Sequence, residues 1–99
     1  MNASLQLGDV LALAERSSAQ LSAWLRASNA GLSERVESEA GLRNETLAQF
    51  VRIAIADFLA EADEEAWAGL ISAIRDAPDP GAACIWRMMA FRLQREGAQ

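Results

Sequence analysis

The side chains able to do chemistry here are few in kind. Fourteen carboxylates and nine arginines carry the charge, and Cys84 is the one thiol. The chain has no His, no Lys and no Tyr. A Ser–His or Cys–His nucleophile pair and an ordinary zinc site are therefore excluded. So are a Schiff-base lysine and the lysine of a phosphate-binding loop. Carboxylates alone would have to carry any acid–base work, and no spaced pair stands out. The expectation is a protein that is not an enzyme and takes no cofactor. The run Asp63-Glu64-Glu65 has oxygen donors suited to a metal, but acids in a first helical turn are expected from the helix dipole alone. No metal site is assigned. Cys84, beside Ile85 and Trp86, reads as a buried, inert thiol. Trp86, Met88, Met89 and Phe91 suit either core packing or a sticky partner-binding face.

The elements that position these groups must come from one small domain. Ninety-nine residues, 52% apolar and 23% charged, suffice for a single hydrophobic core. The net charge of −5 supplies no bulk attraction to nucleic acid or to an anionic membrane. Residues 61–99 are the more acidic part, with seven acids against four arginines. A lone Cys makes no internal disulfide, which fits a reducing compartment. The start of the chain lacks a basic region, its apolar run Val10–Ala14 stops at Glu15, and no stretch approaches the length of a bilayer span. The expectation is a cytoplasmic protein with no membrane partner.

Helical periodicity dominates the chain. Asp9 can cap a helix carrying Val10, Leu11, Leu13 and Ala14. Leu32, Val36 and Ala40 mark a short helix from about Gly31 to Leu42. Arg43-Asn44-Glu45-Thr46 reads as a turn, with Asn44 suited to a left-handed backbone and Thr46 to capping the next helix. There Leu47, Phe50, Val51, Ala54, Ile55, Phe58 and Leu59 form an apolar stripe, widened by Ile53 and Ala56. So broad a stripe predicts a central helix, partly covered by a second copy of the chain. A further helix opens at Ala62-Asp63-Glu64-Glu65 with the stripe Trp67, Leu70, Ile71 and Ile74. It stops before Ala77-Pro78-Asp79-Pro80-Gly81. The last helix is expected from about Ala82 to Arg95, with Ile85, Met88, Met89 and Arg92 on one side.

Residues 21–27 fit two patterns. Leu21, Ala23, Leu25 and Ala27 alternate with Ser22, Trp24 and Arg26, as in a strand. Leu11, Ala14, Ser18, Leu21 and Leu25 also fit a helix from Asp9 to Ser28, and no β-branched residue opposes it.

From Leu21 to Glu61 the order of elements resembles the ribbon-helix-helix family of DNA-binding proteins. Asn44-Glu45-Thr46 is similar to that family's Gly-x-Ser/Thr turn. Phe50-Val51-Arg52-Ile53-Ala54-Ile55-Ala56-Asp57-Phe58-Leu59 is similar to its aromatic- and aliphatic-rich second helix. The resemblance implies a two-fold homodimer whose paired strands enter the DNA major groove. On this chain Ser22, Trp24 and Arg26 would then contact bases, and Arg43, Asn44 and Thr46 would contact phosphate. Leu47, Phe50, Val51, Ala54, Ile55 and Phe58 would form the dimer core. Three positions depart from the pattern: Asn44 replaces the usual Gly, Glu45 brings a negative charge to the phosphate site, and Trp24 replaces a polar or basic residue.

The expected fold is therefore mostly α with one short strand: a ribbon-helix-helix-like homodimer with extra C-terminal helices. Within one cooperative domain, residues 1–20 form an N-terminal arm, 21–61 the core and 62–99 a C-terminal helical pair. The expected function is a dimeric DNA-binding transcriptional regulator, antitoxin-like in that its C-terminal helices engage a protein partner. The alternative is an all-α helical bundle acting as a protein–protein interaction module without DNA binding.

Overall fold

The computed structural model describes residues 16–97, with side chains through Gln94. The described residues form five helices and no strand: α1 (Ser18–Ser28), α2 (Ala30–Leu42), α3 (Leu47–Glu61), α4 (Glu64–Arg75) and α5 (Pro80–Gly97). The helix expected over residues 9–14 lies outside the described residues.

The expected strand at 21–27 is helix, which corrects the fold class to an all-helical bundle. Ser17 starts α1 with a capping box: its side chain accepts from the Gln20 N–H, and the Gln20 side chain accepts from the Ser17 N–H. Burial supplies the second reason. A strand would turn Leu21, Ala23, Leu25 and Ala27 to one side. In the helix only Leu21 and Leu25, one turn apart, go inside, each 0% exposed, while Ala23 and Ala27 stay in solvent. Ser17 itself is extended, so α1 begins there.

One residue separates α1 from α2. Asn29 is extended; its N–H closes α1 on the Leu25 carbonyl, and its side chain accepts from the Leu32 N–H to open α2. The turn after α2 is as its residues suggest. Asn44 has φ 58°, its N–H reaches the Gly41 carbonyl, and the Glu45 N–H reaches the Ala40 carbonyl. This is a Schellman closure with Asn in the place glycine usually takes. Thr46 then caps α3 with a second capping box through Gln49. Asp63 caps α4, with Glu64 and Glu65 in its first turn and Arg75 in its last. The last helix starts at Pro80, earlier than Ala82, because Asp79 accepts from the Ala82 N–H and proline suits a first helical position.

α3 is the central element. Phe50, Val51, Ala54 and Phe58 are fully buried, and α3 packs chiefly on α5, with α1 and α2 on its other flanks. Leu21, Leu25, Val36, Ile85, Met88 and Met89 complete the core. The six residues assigned to a dimer core are all buried within a single chain, so their burial requires no second copy. Ile53 and Ala56, which widened the stripe, lie in solvent. Phe58 ties three helices together: its ring meets Trp67 of α4 edge-on at 4.9 Å and Phe91 of α5 at 5.1 Å.

Candidate functional site

The residues assigned to base contact are engaged inside the chain. Ser22 donates to the Glu37 carboxylate at 2.9 Å, and Arg26 pairs with the same carboxylate at 3.1 Å. Ser33 adds a third donor at 3.1 Å. Burial works to raise the Glu37 pKa. Hydrogen bonds from Arg26, Ser22 and Ser33, with the Arg26 charge, outweigh it and hold the carboxyl below its ordinary value. Trp24 donates its indole N–H to Asp79 at 3.0 Å and lies 5.6 Å beneath the Arg16 guanidinium. These three side chains thus staple α1 to α2 and to the start of α5, and no ribbon presents them to a groove.

The turn residues assigned to phosphate are also structural in their contacts. Arg43 pairs with Glu39 one turn earlier on α2, Asn44 supplies the left-handed turn, and the Thr46 hydroxyl is occupied by the α3 cap. Glu45, the charge that suits a phosphate site poorly, has a definite role. Arg92 of α5 grips it with both terminal nitrogens, at 2.8 and 2.9 Å. Arg92 is buried, lies 4.4 Å from the centre of the Phe50 ring, and also reaches toward Asp57 at 3.9 Å. The sequence signal for this clamp was present: an arginine on the same side of α5 as Ile85, Met88 and Met89. Its partner was unreadable because it lies 47 residues away along the chain.

Large apolar side chains are exposed on α2 (Leu32, Leu42), on α3 (Ile53) and on α4 with the end of α3 beside it. Of the expected stripe on α4 only Leu70 is fully buried; Trp67 is 37% exposed and Ile71, one turn on, 54%. Leu59, next to Phe58 on α3, is also exposed. A cleft of roughly 330 Å³ opens between α4 and α5. Phe58, Ala66, Ala90 and Phe91 give it apolar walls, and Asp63, Glu65, Arg87 and Gln94 line it with polar groups. A second cleft lies between Trp24 and Trp86, whose indole N–H groups donate to Asp79 and Ser28.

The remaining chemistry is sparse. Cys84 is buried, and burial pushes its thiol pKa up to about 11, so almost no reactive thiolate forms near neutrality. Among the described residues no three His, Cys, Asp or Glu side chains gather as metal ligands, and no helix is long and apolar enough to cross a membrane. Compared with protein-family models, with curated proteins and with solved structures, the chain matches none, so its own geometry carries the functional argument.

Proposed function

We propose that this chain is an all-helical protein–protein interaction module that engages its partner through the outer face of the C-terminal helix pair, α4 and α5. One observation carries the reading: Trp67 and Ile71 stand exposed one turn apart on α4, although the chain closes a complete core without them. Tryptophan is the side chain most concentrated at the energetic centres of interfaces, and a Trp anchored by its edge against Phe58 loses little freedom when a partner covers it. The absence of a nucleophile–base pair and the inert thiol agree with a binding role. The ribbon route to the major groove is not carried forward, because the segment that would form it is helix.

The test is site-specific crosslinking. A photo-reactive residue at position 71, in the cells that make the protein, should give a covalent adduct of defined mass. The same residue at exposed position 49, on α3, should give none. A folded protein that yields no adduct at position 71 refutes the reading. An adduct of twice the chain's mass makes the partner a second copy.

A further inference from the structure

On a surface separate from that face, we infer that the cleft between Trp24 of α1 and Trp86 of α5 binds the trimethylammonium group of a small free ligand. The cleft has a volume of about 540 Å³, inside the roughly 300–1,000 Å³ of small-molecule sites, and Ala27, Ala77, Pro78 and Ala83 complete its apolar walls. Both tryptophans are half-buried, and each ring is held by its nitrogen edge: Trp24 donates to Asp79 at 3.0 Å and Trp86 to Ser28 at 3.1 Å. A ligand that depended on an indole N–H would find both engaged. What the rings still offer is π electron density, which attracts a cation, most strongly from tryptophan. Trp24 shows this already, with the Arg16 guanidinium 5.6 Å from its ring centre. Among the described residues that line the cleft, Asp79 alone is charged. Its oxygens accept from Trp24 and from the Ala82 N–H, which fixes its negative charge beside the Trp24 ring. An anion meets Asp79 with repulsion, and a neutral apolar ligand forgoes both that charge and the ring attraction. A trimethylammonium group needs no hydrogen bond and carries its charge under apolar methyls, so it matches the indoles and the carboxylate together.

The experiment titrates the full chain with choline and follows the indole N–H signals by NMR, with sodium chloride at the same concentration as the ionic control. Choline should move the Trp24 and Trp86 signals saturably and leave that of Trp67, on α4, in place. Its neutral isostere, with a tert-butyl group in place of trimethylammonium, should bind about tenfold more weakly, the loss of the cation–π attraction. Asp79→Asn, which keeps an oxygen to cap α5, should weaken choline roughly fivefold, the scale of one exposed ion pair. Trp86→Leu should abolish the shifts. If that variant unfolds, fluorinated tryptophan, which drains the ring of electron density at nearly constant shape, carries the test by weakening choline and not the isostere. Saturable shifts at both tryptophans with this preference for the cation support the site. No shift with choline, equal affinity for the isostere, an equal shift at Trp67, or undiminished binding by the fluorinated protein overturns the inference. Adhesion to phosphatidylcholine vesicles without affinity for free choline also overturns it, since the group recognised then belongs to a membrane surface. The crosslink at position 71 reads the α4 face and is independent of each of these results.

Discussion

Replacing Arg92 by Met removes a buried charge while keeping most of the side-chain volume, and the structure sets the size of the effect. Arg92 has a side chain only 5% exposed, and its partner Glu45 is 18% exposed. Breaking a fully buried pair by deleting one member costs about 3–5 kcal/mol, because the other charge is left unpaired. Water reaches Glu45 in part, which brings that penalty to or just below the bottom of this range, about 2–3 kcal/mol. Loss of the guanidinium over Phe50 adds about 0.5–1 kcal/mol. Arg92→Met should therefore destabilise by about 3 kcal/mol, a large part of the roughly 5–15 kcal/mol that holds a domain folded. Urea unfolding followed by circular dichroism should show a lower midpoint with an unchanged slope. The decisive comparison adds Glu45→Gln. The double variant should be more stable than the two single losses predict by about 1–2 kcal/mol, because the second change removes the carboxylate that has lost its guanidinium. Arg92→Lys should recover only part, since an ammonium lacks the two-nitrogen fork that meets both Glu45 oxygens. Additive single losses, or an Arg92→Met variant within about 0.5 kcal/mol of the parent, would refute the buried clamp.

Three further outcomes follow from other sites. At Asn44, held at φ 58°, substitution by Gly should be neutral or slightly stabilising, whereas Val should cost about 1–2 kcal/mol in the same urea assay; equal effects would remove the left-handed turn. Glu37 has a folded pKa below its unfolded one, so the unfolded chain binds more protons and the stabilisation is complete above the ordinary carboxylate pKa. The advantage of the parent over Glu37→Gln should hold at pH 7 and fade as pH falls through the folded value; an advantage that grows with acid would reverse the assignment. Cys84 should resist a thiol reagent at pH 8 in the folded protein and react at once in urea; fast labelling without denaturant would contradict its burial.

Much of the helical scaffold was legible because helix periodicity and capping are local. The stripe from Leu47 to Phe58 lies on the buried face of α3, and Thr46 and Asp63 cap where their side chains suit it. The breadth of the α3 stripe does not by itself require a partner. Its breadth argued for a second copy, yet the other helices of the same chain cover all but Leu59 and the edge at Ile53 and Ala56. Periodicity reports which face is apolar and is silent on what covers it.

Residues 21–27 mark the limit most clearly. Seven residues are too few to separate a two-residue from a 3.6-residue period when Leu and Ala fit both. The choice shows in the Ser17–Gln20 cap and in a core that takes in Leu21 and Leu25 and leaves Ala23 and Ala27 in solvent. Charge pairing lay further out of reach. Arg26 and Glu37 stand eleven residues apart, and Arg92 and Glu45 forty-seven, so neither spacing marks a pair before helices bring the groups together. What the linear order of residues determined was the helices, their caps and the left-handed turn, because neighbours along the chain supply those interactions. Only packing in three dimensions decided that the supposed DNA-reading side chains bind their own chain and that Trp67 and Ile71 are left outside, because burial depends on what the other helices bring against each face.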